Sequence, residues 1–182
     1  MKWTIPGTVL PAVTDEAGSV QEKFASMFLG GGIVLSQVAA ITGLEPYTIQ
    51  NWVKRGFLTK PEGKKYTLRQ LCRIININML KDALKMEDIC GLMTYINGHL
   101  DDESDDLIDD SQLYFLFLRL AAQHRRMNNQ EGRDESIREV LEDYEEIVPG
   151  SRERVEKVLK VMLTAWAASL LRQQAVAMAE AL

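Results

Sequence analysis

Five side chains between residues 48 and 55 are of the types a protein uses to read a nucleic acid. Thr48, Gln50, Asn51, Lys54 and Arg55 interleave with Ile49, Trp52 and Val53, which fall at the i, i+3, i+4 spacing of a buried helical stripe. The polar set then faces outward, its amides and hydroxyl able to bond base edges and its cations able to meet phosphate. Just downstream, Lys60, Lys64, Lys65 and Tyr66 surround Pro61-Glu62-Gly63, whose turn chemistry predicts a small basic hairpin, or wing.

Short helices must position these groups. Leu35, Val38 and Ala39 give a first helix its buried stripe, with Ser36 close to its start. Gly43 supplies a left-handed residue to end it, and Pro46 suits the first turn of a second helix. Two short helices, a tight turn and a cationic outer face on the second together describe a helix-turn-helix. After the wing, Thr67 begins a helix carrying Leu68, Leu71, Ile74, Ile75, Asn78 and Leu84, and Met86 begins another with Ile89, Leu92, Met93 and Ile96. Ahead of the pair, residues 1–17 read as an extended arm. Ser19 caps a short helix with Val20, Phe24, Met27 and Phe28 inward, and Gly30 to Gly32 form a connector. No Lys-Ser/Thr pair follows those glycines, so they are no phosphate loop.

Charge is unevenly placed. The 182 residues are 46% hydrophobic and carry a net charge of −5, yet Ile33 to Arg73 holds seven cations against two acids. That window is at +5 and the remainder at −10. A phosphate senses cation density within about a Debye length, ~10 Å, so a basic module on an acidic body is the apt description. Only Cys72 and Cys90 are present, which predicts a reducing compartment, and the cytoplasm is the expected location. No apolar run approaches the roughly 20 residues of a membrane span, and Pro6 and Pro11 interrupt any signal-like segment.

The second half is acidic, then apolar. Asp101 to Asp110 packs seven acids into ten residues, but an EF-hand begun at Asp101 would need glycine where Asp106 stands and glutamate where Gln112 stands. A solvated linker with Ser111 as helix cap is the expectation. LYFLFLRLAAQ after Gln112 predicts a buried helix. Arg125, Arg126 and Arg133 flank a loop at NNQEG, and Ile137, Val140, Leu141 and Tyr144 mark a further helix ended by Pro149-Gly150. From Ser151 a last helix of about 30 residues, ~45 Å long, carries the stripe Val155, Val158, Leu159, Met162, Trp166 and Leu170.

Leu35 to about Met93 resembles the DNA-binding domain of MerR-family transcription regulators, which run Ala-x-x-x-Gly, Thr-Ile-Arg-x-Tyr-x-x-x-Gly-Leu, a wing with Arg-x-Tyr, then two helices. The matching residues are Ala39, Gly43, Thr48, Ile49, Gly56, Phe57, Lys64 and Tyr66, followed by Leu71, Ile74, Ile77 and Glu87-Asp88-Ile89. IQNWVKRGFL and KKYTLRQLCRIININMLK resemble more closely still an uncharacterised bacterial domain-of-unknown-function family with a MerR-like N-terminal domain. Gln50, Trp52 and Lys64 stand where the MerR pattern has arginine, tyrosine and arginine. The resemblance implies that Thr48, Gln50, Asn51 and Lys54 enter the major groove while Lys60, Lys64, Lys65 and Tyr66 hold the backbone. It also implies a homodimer through the last helix, at Val155, Leu159, Met162, Trp166 and Leu170; the same stripe equally suits a core helix within one chain.

His99 and His124 are the only histidines, and no nucleophile elbow, nucleotide fingerprint or metal-ligand spacing occurs, so no enzyme, cofactor or metal is expected. The expected fold is all-α: a winged helix-turn-helix with a small β-hairpin wing, followed by a helical C-terminal bundle. Its segments are 1–32 (arm and short helix), 33–98 (MerR-like winged helix-turn-helix) and 99–182 (acidic linker and helical oligomerisation or effector region). The expected function is a DNA-binding transcription regulator acting as a dimer on double-stranded DNA, with an effector pocket near Tyr114, Phe115, Phe117 and Trp166 as an option. The alternative is a protein-interaction or adaptor module that uses the same fold without DNA.

Overall fold

Apolar residues at every third or fourth position make helix the dominant local structure. The computed structural model describes residues 4–12, 17–124 and 130–182, and among these are eight α-helices and one two-stranded antiparallel pair. The order is α1 (Ala17–Met27), β1 (Ile33–Val34), α2 (Leu35–Thr42), α3 (Pro46–Lys54), β2 (Lys65–Tyr66), α4 (Leu68–Leu80), α5 (Met86–Asn97), a 3₁₀ turn at Glu103–Asp105, α6 (Asp110–His124), α7 (Gln130–Val140) and α8 (Ser151–Glu180).

Helix α4 is the axis of the molecule. Nine of its thirteen residues are buried, because α2, α5, α6 and α8 all pack around it. One hydrophobic core therefore runs from Ile5 and Phe24 through Ile49, Ile74 and Tyr114 to Trp166. Among the described residues no helix is long and apolar enough to cross a membrane.

Several expectations change. Ser19 lies inside α1 and not at its cap, and Leu84 lies beyond the end of α4. Residues 4–12 are not an extended arm but a tight turn docked on the core. Tyr114 Oη donates to the Pro6 carbonyl at 2.9 Å, and Asn78 Nδ2 donates to both Gly7 O and Thr42 O, at 3.0 and 2.9 Å. Gly7 has φ +72°, and a Cβ there would stand 2.6 Å from the Ile75 carbonyl, so close approach requires glycine. The wing turn is closed by an antiparallel bridge between Glu62 and Lys65, but its second arm also pairs outside it, β2 with β1, Ile33 opposite Tyr66 and Val34 opposite Lys65. Helix α7 stops at Val140, which leaves Leu141 and Tyr144 beyond its end. The expected loop at NNQEG lies partly outside the described residues, and from Gln130 the chain is already helical.

A further change concerns the acidic segment. Asp109, not Ser111, caps α6: its Oδ1 accepts from the Ser111 N–H at 2.7 Å, and Gln112 Oε1 reaches back to accept from the Asp109 N–H at 3.4 Å. Three of the other carboxylates converge on α4, while Asp102 accepts from Ser104 and Asp105 from the His99 N–H. Arg69 meets Glu103 at 2.9 Å and Asp106 at 2.5 Å, and Arg73 meets the buried Asp110 at 3.3 Å. Burial pushes the Asp110 carboxyl above its usual range, with Arg73 and Arg69 opposing the shift. Burial raises Asp106 likewise, against the pull of Arg69.

Candidate nucleic-acid interface

The turn between α2 and α3 spans residues 43–45. Gly43 adopts φ +71° and its N–H caps Ala39 O, and a Cβ there would stand 2.5 Å from Val9, so the docked N-terminal turn helps to fix this corner. Pro46 then opens α3 at its first position. Ile49 and Trp52 are buried, whereas Gln50, Lys54 and Arg55 are exposed and Thr48 and Asn51 half-buried. The outward face expected of this helix is therefore real. Tyr47, 76% exposed on the same side, is a member that periodicity alone had not singled out. The Arg55 guanidinium lies 4.6 Å from the centre of the Phe57 ring.

The lysine-bearing turn is built by two local rules. Glu62 O accepts from Lys65 N at 2.8 Å, and the two residues between them, Gly63 and Lys64, have φ of +52° and +64°, a type I′ turn. Among the described residues Lys64 is the only non-glycine at positive φ. Gln70 pins the approach to this turn. Its Oε1 accepts from the Thr67 N–H at 2.9 Å while its Nε2 donates to Thr59 Oγ1 at 2.9 Å and to Lys60 O at 3.1 Å. A glutamine three residues after a threonine signals a capping box in sequence, but its second grip, on Thr59 and Lys60, does not.

Lys60, Lys64 and Lys65 are exposed, and Lys65 Nζ also donates to Gly30 O at 3.3 Å. Tyr66 departs from expectation. It is 3% exposed because its pairing with Ile33 turns the ring into the core, which leaves little of it to meet a phosphate backbone. Gln50, Val53, Lys64 and Val34 border one open groove of about 520 Å³, which brings α3, the lysine turn and the start of α2 to a common surface.

Among the described residues none of Lys54, Arg55, Lys60, Lys64 and Lys65 has a carboxylate within ion-pair distance, whereas Arg69 and Arg73 are both engaged. The basic window thus splits into a sealed pair on α4 and an open set on α3 and the turn. Cys72 is fully buried, and burial, followed by Asp110 and Asp109, pushes its thiol well up, which suits a small apolar filler.

The dimer stripe needs correction. Val155, Leu159, Met162 and Trp166 are buried within the chain, packed toward α4, α5, α6 and α7, and only Leu170 is exposed. Trp166 meets Phe117 edge to face at 5.7 Å, and Tyr114, Phe115 and Phe24 form a second aromatic group; these rings fill the core, with Phe115 also bordering an open cavity of about 560 Å³ and Trp166 one of about 380 Å³. Exposed on the other side of α8 is a different row, Val161, Thr164, Ala168, Leu171, Ala175 and Met178.

Residues 34–117 match the model of a family described as Domain of unknown function (DUF1836). Over 86 residues the chain is 31% identical to the uncharacterised protein YkrK of Bacillus subtilis (strain 168), a match covering 45% of this chain and 37% of the relative. The alignment thus spans little more than a third of that protein's length. No solved structure matches. Over 34–117, a stretch that contains α3, the lysine turn and the Arg73–Asp110 contact, the chain is similar to an uncharacterised bacterial domain family.

Proposed function

We propose that this protein is a transcription regulator that binds double-stranded DNA, with α2, α3 and the lysine turn serving as a MerR-like winged helix-turn-helix. The observation that carries the reading is the set of exposed cations without carboxylate partners around a helix bearing Gln50 and Asn51, while the arginines of α4 are already neutralised. Phosphates would draw Lys54, Lys60, Lys64 and Lys65, and α3 would lie in the major groove.

The protein acts as a homodimer. The pairing face is the exposed row on α8, whose members alternate three and four apart from Val161 to Met178 as the a and d positions of a coiled coil do. Two copies present two α3 helices to two half-sites.

Fluorescence anisotropy with duplex from the gene's upstream region and a scrambled duplex, at about 50 and 200 mM salt, tests the reading. The expected result is tighter binding to the upstream duplex and a steep loss with salt. Four lysines per protomer predict a log–log slope of about −3.6 per protomer, from about −0.9 per phosphate contact. A folded protein that binds neither duplex at either salt overturns the DNA reading in favour of the adaptor.

A further inference from the structure

We propose that α3 selects A·T base pairs, with Gln50 bonding adenine and the apolar rim of the adjoining groove receiving the thymine methyl group. This rests on the DNA reading above and specifies what the same site recognises.

In the major groove each base pair presents its own pattern. Guanine offers two acceptors and calls for arginine or lysine, adenine offers an acceptor and a donor and calls for an amide, and thymine adds a methyl that packs on apolar groups. The first two turns of α3 hold Pro46, Tyr47, Thr48, Gln50 and Asn51 on their polar side, with no cation among them. The cations come only at the end: Lys54 in the last turn, and Arg55 lying against Phe57. A recognition helix reads bases chiefly through its N-terminal residues. Gln50, exposed and an amide, is therefore the member of this helix suited to adenine.

The neighbouring groove is lined mostly by apolar side chains. Val34, 41% exposed, and Val53 border it together with Gln50 and Lys64. An exposed valine beside unpaired lysines has little to offer a phosphate, but it suits a methyl group on a strand whose backbone those lysines hold. The charge around the groove thus favours duplex DNA as its occupant, and its lining favours thymine.

Selection from a duplex library with a randomised core gives the sequence to test. The expected core is rich in A·T pairs, and replacing its thymines by deoxyuridine, which removes only the methyl groups, weakens binding severalfold. Gln50→Arg, at an exposed position that leaves the fold intact, changes one selected adenine to guanine, with discrimination of roughly five- to a hundredfold. A selected core without A·T preference overturns the inference and leaves DNA binding standing, as does binding indifferent to both deoxyuridine and Gln50→Arg. Failure to retain any duplex from the library overturns both.

Discussion

Arg73 grips two distant parts of the chain at once: its Nη1 lies 3.3 Å from Asp110 Oδ2 at the start of α6, and its Nε donates to the Phe57 carbonyl beyond α3 at 3.1 Å. One guanidinium on the central helix thereby ties the end of the proposed reading helix to the acidic segment. Removing one partner of such a buried pair strands the other, so Arg73→Met is expected to lower unfolding free energy by about 3 kcal/mol. Equilibrium denaturation measures it; a loss under about 1 kcal/mol would mean the contact is dispensable.

The same pair sets a pH signature. Asp110 has a folded pKa raised by burial above its unfolded value, so the native state binds the proton more readily. As pH falls from neutral through that raised value toward the ordinary carboxylate range, this group adds stability to the native state. Denaturation midpoints of the wild type are expected to gain on those of Asp110→Asn between about pH 7 and 4.5. A wild type that loses stability faster than the variant over that interval would reverse the sign.

Lys64 sits at φ +64°, where a side chain costs about 1 kcal/mol or more and glycine costs little. Lys64→Gly is therefore expected to hold or raise stability, by at most about 1 kcal/mol once the freer unfolded chain is counted. Duplex affinity is expected to fall by several-fold and the salt slope to shrink by about 0.9. An unchanged slope would remove Lys64 from the phosphate contacts.

Gln70 is a positioning residue for the lysine turn. Gln70→Ala removes its bonds to Thr67, Thr59 and Lys60 and is expected to cost about 1–2 kcal/mol. Hydrogen exchange at the Lys65 amide should quicken while that of α6 amides is unaltered beyond the global change. Equal acceleration throughout would show that Gln70 has no local role.

The two faces of α8 separate by mutation. Leu171→Asp with Met178→Asp changes exposed residues and is expected to give folded monomers in light scattering. Trp166→Asp places a charge among buried rings and is expected to unfold the chain, with a cost of about 4 kcal/mol or more. A double variant that stays dimeric moves the interface elsewhere.

Much of the reading half was legible because its signals are local. Pro46, Gly43, Thr67 and the 3.6-residue rhythm mark α2, α3 and α4, and each acts within one turn of itself. The misread features depend on partners far away in sequence. Sequence alone puts Tyr66 on the surface, since nothing near it announces that Ile33 is its strand partner. Asp110 reads as solvated because its partner, Arg73, stands 37 positions earlier. Helix α8 carries apolar residues on two sides, and periodicity cannot say which side meets the rest of the chain.

The stretch shared with the bacterial domain family starts at residue 34 and ends at 117, inside α6. A fragment cut at those borders keeps Tyr66 but not Ile33, keeps Tyr114 but not Phe24 or Pro6, and keeps Phe117 but not Trp166. Each of those losses opens the core. In this chain the core of the matched stretch is therefore closed by residues that lie outside it, on both sides.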